Sequence, residues 1–401
     1  MESRAFIGPI LSKMSDLRKS KVNFLTECFI LFLSIKGKIN FLQLSRYGSY
    51  SEKTYRNNFE SGFSFSEFNH HLINEHCGDE KIIAFDPVYL SKSGKKTYGL
   101  GKYWSGCAGK AQKGLDLSGI GIVDVESRNA FHYDAIQTPS ITELKEKGMS
   151  LVDHYASTLL THKEQLLTHS KYVVADAYFA KEKFVRPLDE AGFTVLSRFR
   201  GDMNARYLFE GPKTGKRGRP KKFNGKVDWK NIDLDIFQLE DDTDLYYLYS
   251  AKIYSVALKR EVMIALVQFK NQKLKQKIFF STDLNQEAFQ IFNYYRLRFH
   301  IEFLFRDAKQ HTSLTGCQGI SKNKIHFHTN MALTSVSIAK AFHWINQEKK
   351  ERGPFSMANI KTLYFNELIL KKIFSVFRID VDVEKNKQQF EMIRKLGQIA
   401  A

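Results

Sequence analysis

Only four cysteines occur in the 401 residues, and Cys28, Cys77, Cys107 and Cys317 are widely scattered. No CxxC pair and no Cys/His cluster carries zinc-ligand spacing, which argues against a structural zinc site. Few, unclustered cysteines fit a reducing compartment. Long apolar runs are missing too. The longest, near residues 25–35, is interrupted by Glu27 and is too short to span a bilayer. No long apolar stretch follows Met1, so no signal peptide is predicted and the chain is expected in the cytoplasm. Internal repeats and long low-complexity tracts are also absent.

What is present in excess is positive charge. The formal net charge is +18 against an ordinary 43% hydrophobic content. A core of normal size can therefore be buried, in two or three domains by length. A cationic surplus of this size points to a polyanionic partner, nucleic acid before an anionic membrane surface.

Residues 1–78 read as helical. A dense apolar pattern covers Asn23 to Ile35, and Phe41 to Tyr47 forms a short helix. Gly48-Ser49-Tyr50 makes a turn, and Ser51 is placed to N-cap a second helix. Two short helices about a glycine turn fit either a DNA-reading helix-turn-helix or a plain helical hairpin.

From residue 79 to 199 strands alternate with helices. Lys81 to Phe85 is a strand ending in Asp86. Leu117 to Val125 and Asn129 to Ile136 are two strands about a turn. A helix covers Ser150 to His169, and Tyr172 to Ala175 is a strand ending in Asp176. A helix from Lys181 to Ala191 and a strand from Phe193 to Ser197 follow.

Residues 200–284 interrupt this order with a β-rich segment. It contains strand-like runs at Leu245 to Tyr254, Val262 to Phe269 and Lys277 to Ser281. It opens with a basic run, Lys213, Lys216, Arg217, Arg219, Lys221 and Lys222, among glycines and prolines. Such a run serves either as a solvated linker or as an arm that follows phosphates and the minor groove. Residues 285–330 carry a long helix, Asn285 to Lys309, and residues 331–401 are helical.

That long helix is the most informative segment. At about 100° per residue, with Tyr295 at zero, Arg298, Glu302 and Lys309 fall near about 300°, 340° and 320°. Leu297, Ile301, Leu304 and Ala308 take the opposite side. One side packs on a core while the other presents a carboxylate among cations. Spacing alone favours a solvated charged face. Asp86 and Asp176, each after a short apolar strand, stand where sheet-edge ligands bind. Three carboxylates can hold two magnesium ions for in-line phosphoryl displacement.

The intervals Tyr295–Arg298–Glu302–Lys309 resemble the Y-R-E-K motif of IS4-type bacterial insertion-sequence transposases, of the DDE class, without a gap. The stretch from Lys92 through Gly106 also resembles the region after the first aspartate in that family. The likeness covers about residues 80–330, with a looser likeness in the N-terminal helices. Two positions depart from it: Pro87 and Val88 stand where many relatives carry an acid and a threonine.

The resemblance implies an α/β fold, a ribonuclease H-like catalytic core with a β-rich insertion, flanked by helical N- and C-terminal regions. Asp86, Asp176 and Glu302 would be the catalytic metal-binding triad. The cofactor would be magnesium, with manganese able to substitute. Tyr295, Arg298 and Lys309 would grip phosphates or a distorted base. Lys95, Lys96 and Trp104 lie in a lysine-rich segment with interleaved aromatics that reads as a DNA contact or a basic surface loop. Lys216, Arg217, Arg219, Lys221 and Lys222 extend the DNA-binding set.

The expected protein is thus a transposase. It would bind double-stranded DNA at its element's terminal repeats, cut by two-metal hydrolysis and join the freed 3′-hydroxyl to target DNA. A homodimer is expected in the synaptic complex, associated with the nucleoid when bound to DNA and with no membrane partner. Two other readings stay open: an inactive transposase-derived DNA-binding protein, and a ribonuclease H-like nuclease that never joins strands.

Overall fold

Capping side chains mark the starts of two of the N-terminal helices. The computed structural model describes residues 2–15, 17–106, 108–211, 220–270, 275–345, 347, 354–380 and 383–399. Helices α1 (Glu2–Ser12) and α2 (Lys19–Ser34) open the chain. Asn40 accepts the Gln43 N–H at the start of α3 (Phe41–Tyr47), and Ser51 accepts the Thr54 N–H at the start of α4 (Glu52–Glu60). Each cap relieves one orphan donor of a helix N-terminus. Gly48 lies between them because a Cβ there would stand 2.1 Å from the Tyr55 hydroxyl and 2.6 Å from Glu27 Oε1. That same Glu27 oxygen accepts hydrogen bonds from Tyr55 and from the Ser49 N–H.

After α5 (Phe65–His76) come β1 (Lys81–Ser91), β2 (Gly101–Ser105), β3 (Lys110–Asp124) and β4 (Asn129–Gln137). Next are α6 (Ile141–Glu146), α7 (Leu151–Thr161), α8 (Lys163–His169), β5 (Tyr172–Ala175), α9 (Glu182–Glu190) and β6 (Thr194–Phe199). Six short and long strands follow: β7 (Ala205–Leu208), β8 (Phe223–Lys226), β9 (Gln238–Asp242), β10 (Tyr246–Ser255), β11 (Arg260–Phe269) and β12 (Gln276–Ser281). The chain ends in α10 (Ala288–Leu297), α11 (His300–His311), α12 (Lys322–Trp344), α13 (Met357–Phe377) and α14 (Glu384–Arg394). No helix among the described residues is long and apolar enough to cross a membrane.

These elements form two compact units. The first comprises residues 1–79, 87–140 and 301–401. Its centre is α12, most of whose residues are buried, against α2, α4, α5 and β4. The helix satisfies β4 backbone groups with its own polar side chains. Asn330 bonds both the N–H and the C=O of Ala135, Ser337 accepts from His132 N–H, and Lys340 donates to Ala130 C=O. Buried strand backbone left without such partners would be costly, which accounts for polar residues inside this core.

The second unit comprises residues 80–86 and 141–300. Its sheet runs β1–β5–β6 in parallel, through Ile83↔Val173 to Phe85↔Ala175 and Tyr172↔Thr194 to Val174↔Leu196. β12 then pairs antiparallel with β6, followed by β11, β10, β7 and β8, with β9 also on β10. The β-rich segment thus continues the sheet through β12. Phe85 packs against Tyr155 of α7, Phe184 of α9 and Phe179, at 5.2–5.8 Å between ring centroids.

Four local expectations change. The first strand does not end at Asp86 but runs on through Pro87 to Ser91. The register with β5 stops at Phe85, so proline removes no ladder bond there. Residues 101–113, part of the lysine-rich segment read as a DNA contact or a basic surface loop, form the β2–β3 hairpin rather than a loop. The helix expected from Ser150 to His169 breaks at His162, whose φ/ψ of −106°/14° is non-helical. The long helix expected from Asn285 to Lys309 is two helices, separated at Arg298 and Phe299. Lys213, Lys216, Arg217, Gly218, Arg219 and Cys107 lie outside the described residues.

Candidate catalytic site

Asp86 and Asp176 follow residues that are paired on neighbouring parallel strands, Phe85 of β1 and Ala175 of β5. Parallel neighbours lie about 5 Å apart, so the pairing brings the two predicted acids together at one level of the sheet. The strands are held there by a dry core, with Ile82, Ile83, Ala84, Phe85, Val173, Val174 and Ala175 all fully buried. Both aspartates are half-buried.

Asp176 serves two local roles. Its Oδ1 accepts the Tyr178 N–H at 2.9 Å and so caps a single 3-10 turn, Ala177–Phe179. Its backbone carbonyl accepts from Ser197 Oγ of β6 at 2.7 Å. Asp86 Oδ1 lies 3.7 Å from Arg298 Nη1, an ion pair whose side chains are 21% and 12% exposed. That low exposure shields the pair from screening by solvent and salt. Arg298 also lies over the Tyr295 ring, 5.8 Å from its centroid.

Tyr295 is half-buried, and burial raises its pKa. Arg298 and Arg198 oppose that rise and Asp176 adds to it, so all three charges surround the phenol. Arg198, on β6, was invisible to spacing arguments because nothing in the strand run distinguishes it. Strand alternation explains its direction: Ser197 turns to the Asp176 carbonyl and Arg198 to the other face.

Beside Asp176 and Tyr295 opens a cleft of about 650 Å³ within the second unit. Asp176, Arg198, Tyr295 and Arg298 line it, together with Lys277, Arg296 and the rings of Tyr246, Phe269, Phe279, Phe292 and Phe299. Two cations sit on those rings. Arg296 lies 5.4 Å from the Phe292 centroid and Lys277 lies 5.4 Å from that of Phe269. Three of the lining strands, β10, β11 and β12, are the strand-like runs expected within the β-rich segment.

Glu302 and Lys309 lie on α11 in the first unit, both half-buried. Ile301, Leu304 and Ala308 are fully buried, and Phe305 is 5% exposed, so one face of α11 is core. Gly121 of β3 permits the approach, since a Cβ there would already stand 3.2 Å from Ile301. Glu302 in the first turn and Lys309 in the last complement the helix dipole.

Among the described residues, no group of three or more His, Cys, Asp or Glu side chains is gathered to hold a metal ion. The structure brings together Asp86, Asp176, Tyr295 and Arg298, adds Arg198, and assigns Glu302 and Lys309 to the other unit. Carboxylate oxygens on adjacent strands are the donors that a hard divalent cation prefers, so Asp86 and Asp176 fit such an ion. Lys95 and Lys96 are exposed, and Trp104 is 67% exposed. Lys221 and Lys222 are exposed as well, with Lys221 over the Phe209 ring at 4.6 Å.

No curated protein matches the chain. Residues 91–338 match the family described as the transposase DDE domain, a span that begins after Asp86 and includes Asp176, Tyr295, Arg298, Glu302 and Lys309. With well over half its length in that match, the chain belongs to the transposase DDE domain family.

Proposed function

We propose that this DDE transposase is of the IS4 type, with Tyr295, Arg298, Glu302 and Lys309 as its Y-R-E-K motif and Asp86, Asp176 and Glu302 as its catalytic acids. The observation that carries the reading is the juxtaposition of Asp86 and Asp176 after the Phe85↔Ala175 pair, inside a chain of this family. The fold is read as a ribonuclease H-like core in residues 79–199 and 285–330. Residues 200–284 are its β-rich insertion, residues 1–78 a DNA-binding region with α3 and α4 as a helix-turn-helix, and residues 331–401 a helical tail.

Asp86, Asp176 and Glu302 would hold magnesium, or manganese in its place. When bound, a pair of such ions supplies Lewis acidity toward the attacking and leaving oxygens of the phosphodiester. The chain's own groups position the DNA. Arg298 and Arg198 bind phosphate oxygens near Asp86 and Asp176, and Tyr295 orients the same strand by hydrogen bonding. Lys309 adds a further phosphate contact. Lys95, Lys96, Lys221 and Lys222, with Lys216, Arg217 and Arg219, extend the path for double-stranded element ends and target DNA, and Trp104 contacts exposed bases. Hydrolysis frees a 3′-hydroxyl, which attacks target DNA in a homodimeric synaptic complex. The net charge of +18 suits that path, and the protein works in the cytoplasm on nucleoid DNA.

Asp176→Asn and Glu302→Gln test the reading. Each is expected to lower metal-dependent nicking of element-end DNA about a thousandfold or more, with binding in a gel-shift assay retained. Nicking within about tenfold of wild type in both variants would overturn the triad. Binding without nicking in the wild type would favour an inactive DNA-binding descendant.

A further inference from the structure

The β2–β3 hairpin belongs to the first unit and carries an unusual outer face. Tyr103 is 6% and Ser105 5% exposed, and the Tyr103 hydroxyl lies 3.0 Å from Gly99 O and 3.3 Å from Pro139 O. Strand alternation therefore turns Lys102 and Trp104 outward. Their cross-strand partners are Lys113 and Ala111, which are exposed too. The hairpin base is pinned: the Tyr89 hydroxyl donates to Lys113 O at 2.7 Å, and a Cβ at Gly114 would stand 2.3 Å from Leu90 O.

This face has two unfavourable features in the free protein. Two lysines stand directly opposite each other, an arrangement that repels. Residues 92–113 hold six lysines and no acid to offset them. Beside them an indole is 67% exposed, and Ala111 across the strand pair is too small to cover it. A polyanion that also offers flat aromatic faces removes both. Duplex DNA presents phosphates but keeps its base faces inside the stack, whereas a single strand presents both. Lys102 and Trp104 are two residues apart, about 7 Å along the strand, a step comparable with one nucleotide of an extended chain.

We propose that the outer face of the β2–β3 hairpin is a platform for single-stranded DNA, with a base stacked on Trp104 and phosphates of adjoining nucleotides held by Lys102 and Lys113. It rests on the DNA-binding reading above and adds a site, two lysines and a preferred form of DNA.

Intrinsic fluorescence gives a direct test. Trp104 is the exposed one of three tryptophans, Trp229 and Trp344 being 6% and 3% exposed. The full chain is titrated in EDTA with oligothymidylate and, separately, with a duplex of equal length. Oligothymidylate is expected to quench the emission and to abolish iodide quenching, and the duplex to leave iodide quenching in place. Trp104→Ala should weaken oligothymidylate binding about 5- to 100-fold, and Trp104→Phe should restore most of it. Lys102→Gln with Lys113→Gln should reduce the log–log salt slope by about 1.4. Iodide access unchanged in the bound single strand, or equal protection by duplex, would overturn the proposal. Because no metal is present, a chain that protects Trp104 yet fails to nick element ends loses the catalytic reading and keeps this one. A chain that nicks but leaves Trp104 bare loses only the platform.

Discussion

Asn330 illustrates how single residues hold the first unit together. Its Oδ1 lies 2.7 Å from His132 Nε2 and accepts the Ala135 N–H at 2.9 Å. Its Nδ2 donates to Ala135 O and to His326 O, both at 3.0 Å. The amide's bonding capacity is fully used in a buried site. Asn330→Ala leaves several of those partners unsatisfied, so a loss of about 3 kcal/mol or more is expected in urea unfolding. A loss under about 1 kcal/mol would show that water replaces the side chain. Arg198 makes the corresponding prediction at the candidate site. Arg198→Ala should lower kcat/KM for end cleavage about 10- to 100-fold, the usual worth of a charged hydrogen bond, with the unfolding midpoint little changed. Neither residue stood out in the sequence. A buried asparagine and a strand arginine have no spacing signature, and only their neighbours disclose their roles.

At the scale of elements, local chemistry was a good guide wherever it acted alone. α3 spans the expected Phe41–Tyr47, and α4 begins after the expected cap at Ser51. Ser51→Ala should cost about 1 kcal/mol in chemical denaturation, and an unchanged midpoint would mean that packing of Tyr55 and Phe59 holds α4 by itself. Longer elements were less legible. A helical wheel through Tyr295, Arg298, Glu302 and Lys309 assumes one unbroken ladder, but α10 ends at Leu297 and α11 begins at His300. The apolar positions Leu297, Ile301, Leu304 and Ala308 are nonetheless buried as that periodicity indicates, because each half keeps its own register. β7, β8 and β9 escaped notice for another reason. β8 and β9 are mostly exposed and polar, so they lack the apolar alternation by which a strand is recognised.

Acid sensitivity is a property of the whole molecule, and two buried histidines in the first unit contribute to it. Burial pushes His132 and His328 down to about 4 from an ordinary 6.5. Between those values the unfolded chain binds protons that the folded chain refuses. Their contribution is therefore complete above about pH 6.5 and is lost as pH falls toward about 4, on the order of 3 kcal/mol for each. Urea midpoints measured at about pH 7 and about pH 5 should differ in that direction, and a higher midpoint at the lower pH would contradict it. Lys361 acts on the alkaline side. Burial brings it down to about 7 from 10.5, so its contribution grows as pH rises through that window.

The sequence by itself determined the short capped helices and the strand before Asp176, and its charge pointed to a polyanionic partner. Each follows from composition or from interactions within a few residues, which a linear pattern records. The tertiary structure alone decided that Phe85 pairs with Ala175, and hence that Asp86 stands beside Asp176. It also decided that β12 joins the later strands to β6, and that Arg198, Lys277 and Arg296 share one cleft. It turned Trp104 and the Lys102–Lys113 pair onto one exposed face. Those outcomes depend on strand register and on side chains that meet across long stretches of chain, and neither leaves a mark in local spacing.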